Sequence, residues 1–270
     1  MDLTSRQQLV EALIPVIRRA GALVRSLQKT GVAPNFKPDG SPVTRADLAS
    51  HEILCAGCKA LAAAIPIISE EDENSATQAL KPLSFVIDPL DGTKEFVRGR
   101  DEFTINIALV ENGHATAGLI YAPARERLFF SYGNGYVFEE APDGQCRDLF
   151  NRIVTPRRPI VLVSRTHLDR QTEGLLSTLQ PCTIRKLGSS LKFALIAAAE
   201  ADAYVRLSPT MLWDCAAGLA LVEAAGGTVL RTDGSPLLDE KRRTLRIDGF
   251  IAARTPQLAQ RINTAQKLSL

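Results

Sequence analysis

Apolar residues near the start of the chain recur at helical spacing. Leu9, Leu13, Ile17, Ala20, Val24 and Leu27 fall on one face, so an amphipathic helix is expected to about Leu27. Pro15 lies inside it and predicts a kink or a local break, because proline lacks the N–H that the ladder needs. Residues 31–42 hold three prolines and two glycines, too punctuated for regular structure and too long for a tight turn, so a mobile loop is expected. Thr44-Arg45-Ala46-Asp47 then opens a second helix to about Ala64. From there the period shortens. Residues 65–69, 84–88 and 104–110 read as buried strands, and 115–121 and 128–139 as further strands of the same sheet. The polar, proline-rich stretch 155–159 predicts a boundary between an N-terminal α+β domain, 1–155, and a C-terminal α/β domain, 156–270. Beyond it the pattern gives a strand at 160–164, helices at 168–179 and 189–201, a strand at 203–207 and a helix at 212–225. A strand near 250–253 and a short terminal helix end the chain. Helical and strand patterns alternate without internal repeats, which favours a layered mixed fold.

Composition narrows the function. With 270 residues, 45% of them hydrophobic, the chain buries a sizeable core. Its 32 basic and 30 acidic residues leave a net charge of +2, so no electrostatic footprint for a nucleic-acid polymer is present, whereas a small anionic molecule remains a fitting partner. The first residues lack the apolar core of a signal peptide. No run approaches the ~20 apolar residues that span a bilayer, and a cytoplasmic location is expected. Five scattered cysteines do not make a disulfide framework. Cys55 and Cys58 form a C-x-x-C in an alanine-rich helical stretch, with no second pair to complete a zinc site. His51, His114 and His167 are far apart, which leaves carboxylates as the better metal candidates.

The most informative carboxylates lie in Phe85-Val86-Ile87-Asp88-Pro89-Leu90-Asp91-Gly92-Thr93. An apolar run delivers two acids, Pro89 is expected to stop the ladder, and Gly92-Thr93 offers bare N–H groups at an expected helix start. Such a turn can hold a hard cation against a phosphate, since carboxylate and phosphate oxygens make the usual Mg²⁺ site. It also reads as an ordinary Asx-rich turn. Ile65-Pro66-Ile67-Ile68-Ser69-Glu70-Glu71-Asp72 repeats the logic, an apolar strand ending in acid. If the two strands are neighbours, Glu70, Asp88 and Asp91 converge where uncompensated charge is costly, and a divalent cation removes that cost. Asp214 after Trp213 opens a helix and either caps it or faces a cation.

Taken together, Glu70-Glu71, the segment Asp88-Pro89-Leu90-Asp91-Gly92-Thr93-Lys94-Glu95-Phe96, and Trp213-Asp214 followed by Ala216-Ala217-Gly218 resemble the three signatures of the inositol monophosphatase superfamily of lithium-sensitive, Mg²⁺-dependent phosphatases. The loop from Lys37 to Asp47 is similar to that family's metal-responsive loop and the helix start after it. The likeness covers nearly the whole chain and implies a sandwich of alternating α, β, α, β and α layers. Glu95, the segment Glu102 to Leu109, Ser164-Arg165-Thr166-His167, Gly188-Ser189-Ser190-Leu191-Lys192-Phe193 and Arg206 resemble the bacterial 3′(2′),5′-bisphosphate nucleotidase branch. That resemblance implies a cytoplasmic enzyme that removes the 3′-phosphate of adenosine 3′,5′-bisphosphate, a by-product of sulfur assimilation. It leaves 3′-phosphoadenosine 5′-phosphosulfate as an equal candidate substrate. The hydroxyls of Ser189 and Ser190, with Lys192, His167 and Arg206, would bind the nucleotide and its 5′-phosphate; a serine cap with a solvated lysine is the plainer reading of the same residues.

The resemblance further implies metal-assisted in-line hydrolysis without a phosphoenzyme. Glu70, Asp88 and the carbonyl of Leu90 would hold a first Mg²⁺ that activates water. Asp88, Asp91 and Asp214 would hold a second that stabilises the leaving oxygen, with Glu71 helping a third. Thr93, oriented by Asp47, would align the water, while the N–H groups of Gly92 and Thr93 bind phosphate. Asp47 also fits a capping box with Thr44. A haloacid-dehalogenase-type D-x-D-G is excluded, because Asp88 and Asp91 are three apart, and no Walker A loop is present. An inositol or sugar monophosphatase and a catalytically silent nucleotide-binding homologue stay open as alternatives. So do homodimerisation and peripheral association with the inner membrane.

Overall fold

The computed structural model describes residues 1–268 except 39, 73, 76, 77, 153–157, 167 and 241–243. Helix α1 (Leu3–Thr30), capped by Asp2, runs through Pro15 unbroken. Pro15 and Glu11, whose carbonyl loses its helical partner to the proline, both lie on the exposed side, open to solvent. The stretch read as a loop carries a small antiparallel ribbon, β1 (Asn35–Phe36) against β2 (Pro42–Val43). Helix α2 (Arg45–Leu61) starts on a full capping box of Thr44 and Asp47.

There follow β3 (Ile67–Ser69), β4 (Leu83–Asp91), the short helix α3 (Thr93–Val97), β5 (Thr104–Glu111), β6 (His114–Ala122), β7 (Arg127–Gly133), β8 (Tyr136–Glu140) and β9 (Cys146–Asp148). The seven strands form one sheet in chain order, antiparallel except for the parallel β3–β4 pair. The single strand expected at 128–139 is two, because Gly133, Asn134 and Gly135 take φ of 94°, 49° and 85° and turn the chain back.

The second half contains β10 (Ile160–Ser164), α4 (Arg170–Thr178), β11 (Thr183–Leu187), α5 (Leu191–Ala197), β12 (Ala203–Arg206) and β13 (Thr210–Met211). It ends with α6 (Ala216–Ala224), β14 (Thr228–Leu230), β15 (Arg246–Ile247), β16 (Phe250–Ala253) and α7 (Pro256–Leu268). Its sheet runs β11-β10-β12-β16-β14, and β13 pairs with β15 apart from it. Helices expected at 189–201 and 212–225 are shorter, and Leu212–Asp214 is a separate 3₁₀ turn before α6. Residues 155–157 of the expected boundary lie outside the described residues.

Helices α1 and α2 cover one face of the large sheet, α5 and α6 fill the space between the sheets, and α4 and α7 cover the outer face of the second. The α, β, α, β, α sandwich is therefore as expected. Because β5 is covered on both faces, it is buried throughout from Thr104 to Val110, and α6, packed between the two sheets, is apolar except for the exposed Glu223. Gly118 lets β6 lie against α6: a Cβ there would stand 2.6 Å from the Ala217 carbonyl oxygen. Among the described residues, no helix is long and apolar enough to cross a membrane.

Candidate active site

The parallel pairing of β3 with β4, Ser69 opposite Ile87, brings the acids that follow each strand to one sheet end. The Glu70 N–H continues the ladder to the Ile87 carbonyl at 3.2 Å. At Pro89 the register slips between Asp88 and Asp91, and the proline's carbonyl is held from α2 by the Ser50 hydroxyl at 2.7 Å. Asp88 is 1% exposed. Its Oδ1 accepts from the Leu90 N–H at 3.0 Å, whereas its Oδ2 has no partner. Asp214 arrives from the turn before α6, where it accepts from the Thr210 hydroxyl and, at 3.1 Å, from the Met211 N–H. One carboxylate oxygen each from Glu70, Asp88 and Asp214 lie within 4.8 Å of one another. Asp91 stands beside this trio, accepting from the Ser190 N–H.

Such crowding disfavours ionisation. Burial, then the charge of Asp214, push Asp91 up to about 7. Burial also pushes Glu70 up to about 8, with Asp214 and Glu71 adding to it against the pull of Lys37. Asp88 is driven well above the carboxylate range by burial, Glu70 and Asp91. The Lys37 ammonium lies 3.0 Å from Glu70 and 2.8 Å from Glu71. Burial opposes its charge, yet the two glutamates hold it above the usual lysine range. That contact still leaves Asp88 Oδ2 unpartnered. Three crowded carboxylates, one of them with an orphaned buried oxygen, make a donor set that suits a hard divalent cation.

Gly92 begins α3 with φ of 90°, a left-handed conformation that glycine tolerates. One residue on, the Thr93 hydroxyl lies 2.9 Å from Asp47 Oδ1 and 3.1 Å from the Leu90 carbonyl. Asp47 Oδ2 accepts from the Thr44 N–H at 2.7 Å and the Thr44 hydroxyl at 2.6 Å. The cap and the contact with Thr93 thus coexist on separate oxygens of one carboxylate. Burial pushes Asp47 up, and the bonds from Thr44 pull the other way.

Glu70, Glu71, Asp91, Thr93 and Asp214 open on a cavity of about 1040 Å³ that Ser189, Lys192, Tyr204 and Arg206 also line. The Ser190 hydroxyl, 2% exposed, is engaged inside the protein, donating to Asn106 Oδ1 at 2.7 Å and lying 2.8 Å from the Thr104 hydroxyl. Lys192, also 2% exposed, donates to the Leu187 carbonyl at 3.1 Å and to the Ser189 carbonyl. Its ammonium stacks 4.7 Å over the Tyr204 ring. Burial lowers its pKa to about 8 against the attraction of Asp91, so it lies in the floor as a buried lysine and not a solvated one. Arg206 donates to the Pro209 carbonyl at 2.8 Å, while its buried Nε has no partner. His167 lies outside the described residues. Contacts of Lys37 with Glu70 and Glu71, and of Ser50 with Pro89, went unread in the sequence, since neither residue sits in a pattern that reveals its partner.

The model of the inositol monophosphatase family matches residues 5–269. A Shigella flexneri protein called 3'(2'),5'-bisphosphate nucleotidase CysQ is 39% identical over 217 residues, 79% of this chain and 86% of that protein. The Buchnera aphidicola protein of the same name is 35% identical over 234 residues, 86% of this chain and 87% of that one. Among solved structures, CysQ from Bacteroides thetaiotaomicron superposes with a TM-score of 0.77 at 30% identity, over 92% of this chain and 98% of that one. A Thermotoga maritima IMPase, at 22% identity over 95% of each chain, shares the fold with a TM-score of 0.74.

Proposed function

The chain belongs to the inositol monophosphatase family of phosphatases, and from that premise we propose that it removes the 3′-phosphate of adenosine 3′,5′-bisphosphate in a Mg²⁺-dependent hydrolysis. The observation that carries this reading is one cavity lined both by Glu70, Asp91 and Asp214, which gather with the buried Asp88, and by the cations Lys192 and Arg206. Relatives at 35% and 39% identity named as bisphosphate nucleotidases support the choice of substrate.

Glu70, Asp88, Asp91, Asp214 and the Leu90 carbonyl would hold two Mg²⁺ ions, and Glu71 a weaker third. Bound there, the cations supply charge neutralisation for the phosphate and a water of lowered pKa. The protein's own part is placement. Thr93, whose hydroxyl lies within hydrogen-bond distance of Asp47, would orient the attacking water. The N–H groups of Gly92 and Thr93 at the start of α3 face phosphate oxygens. Arg206, with its unpartnered Nε, and Lys192, through its field, would favour a second phosphate, and Ser189 lines the same cavity.

The test is phosphate release by the purified protein with Mg²⁺. Adenosine 3′,5′-bisphosphate should be hydrolysed with far higher kcat/KM than adenosine 3′-phosphate, because the remote phosphate supplies binding energy used at the 3′-ester. The 5′-phosphosulfate analogue belongs in the same panel. Faster hydrolysis of inositol 1-phosphate would overturn the nucleotidase reading and leave the metal site standing. No phosphate release from any substrate would identify a binder.

A further inference from the structure

Glu102, just before β5, is where the two loops of the site meet. Its backbone carbonyl lies so near both glycines that a Cβ at Gly92 would stand 3.0 Å from it and one at Gly188 2.8 Å. Its side chain crosses to the second half of the chain. There Oε2 accepts from the Gly188 N–H at 2.8 Å and Arg165 Nε at 2.9 Å, and Oε1 accepts from Arg165 Nη2 at 2.6 Å. Arg165 follows β10, and its Nη2 also donates to the Lys186 carbonyl at 2.8 Å. It therefore grips β11, the edge strand that delivers residues 188–190. Two residues past the tethered Gly188, the Ser190 N–H reaches Asp91 while its hydroxyl is anchored on Asn106. A continuous path of hydrogen bonds and short backbone thus links Arg165 to an acid of the candidate site.

We propose that Glu102 and Arg165 are positioning residues for Asp91. Their bidentate pair fixes the 188–190 loop, so that the Ser190 N–H holds one oxygen of Asp91 and the other is left for a cation; this rests on the reading of Asp91 as a metal ligand. Arginine suits the task because its planar fork fixes both distance and orientation of a carboxylate. Glu102 stays charged there: burial works against it, but Arg165 and the Gly188 N–H hold its carboxyl below the ordinary value. A pair that merely joined the two halves of the fold would change stability and leave cation affinity alone.

Full-length, metal-free protein separates the two. Mg²⁺ affinity is measured by titration calorimetry and by the Mg²⁺-induced rise in Tm, and turnover of the bisphosphate is followed against Mg²⁺ concentration. Glu102→Ala and Arg165→Ala should each weaken Mg²⁺ roughly tenfold, as loss of a ligand's hydrogen-bonded support does, with kcat at saturating Mg²⁺ within about twofold of wild type. The double variant should be no worse than either single one, because both act through one path. Glu102→Gln, which keeps an acceptor for the Gly188 N–H, should recover most of the affinity. Unchanged Mg²⁺ affinity in a folded Arg165→Ala, additive effects, or a loss confined to kcat would overturn the proposal, and Arg165→Ala decides even where Glu102→Ala does not fold. Asp91→Asn is the control: if it leaves Mg²⁺ affinity unchanged, the metal reading of Asp91 fails, whereas if it abolishes binding while the Glu102 and Arg165 variants are silent, only this inference fails.

Discussion

Replacing Asp91 by asparagine removes one negative charge with almost no change of shape, and the amide oxygen can still accept the Ser190 N–H that Asp91 receives. Burial and Asp214 raise the wild-type carboxyl from 3.8 to about 7. An acid raised in this way costs the metal-free fold nothing below pH ~4. The cost then grows with pH and levels off above about 7, because the unfolded chain ionises first. At ~1.4 kcal/mol per tenfold, full ionisation costs on the order of 4 kcal/mol. Water in the open cavity screens part of this, so the asparagine should stabilise the metal-free protein at pH 8 by ~1 to 3 kcal/mol. For a protein of this size that is roughly 2 to 8 °C in Tm. Thermal unfolding across pH 4.5 to 8, with and without Mg²⁺, reads it directly. The gain should shrink as pH falls toward 4, the Mg²⁺-induced rise in Tm should be lost, and turnover should nearly vanish. A variant no more stable than wild type at pH 8, or one keeping half the turnover, would refute the assignment of Asp91 to a crowded cation site.

Other outcomes are equally specific. With Glu70 raised to about 8 and Asp91 to about 7, Mg²⁺ binding at pH 7 should release on the order of one proton; calorimetric enthalpies that do not vary with the buffer's ionisation enthalpy would contradict this. Mg²⁺ affinity should accordingly rise from pH 6 to pH 8, and a flat profile would count against the raised carboxyls. Millimolar lithium should inhibit competitively with Mg²⁺ at the position held by Asp91 and Asp214, and insensitivity would remove that position from the reading. Gly118→Ala would drive a methyl to 2.6 Å from the Ala217 carbonyl oxygen and should cost ~1 to 3 kcal/mol by forcing β6 off α6; an unchanged Tm would show that these layers yield easily.

What the sequence alone determined is chemistry written at short range. The Asp88-Pro89-Leu90-Asp91-Gly92 run encodes its own break and turn, because proline and glycine act on the backbone where they stand, although the strand expected to end at Asp88 only slips register at Pro89 and pairs again at Asp91. Thr44 and Asp47 encode their cap within one helical turn, and the apolar period marks the helices and the central strands. Weak or one-sided patterns hid the rest. Strand β11 is an edge with Ile184, Arg185 and Lys186 exposed, so no apolar run announces it. The turn through Gly133, Asn134 and Gly135 lay inside what read as one continuous strand. Tertiary structure alone decided that β3 lies beside β4 and that Asp214 meets Glu70 and Asp88 from a distant turn. Carboxylates repel one another, so no local preference gathers them; only the burial of two sheets around α5 and α6 forces them together. The same packing decided direction. A serine and a lysine at a helix start are donors in any sequence, but whether Ser190 faces Asn106 or a ligand, and whether Lys192 lies over Tyr204 or in water, depends on which side of the loop the core closes over.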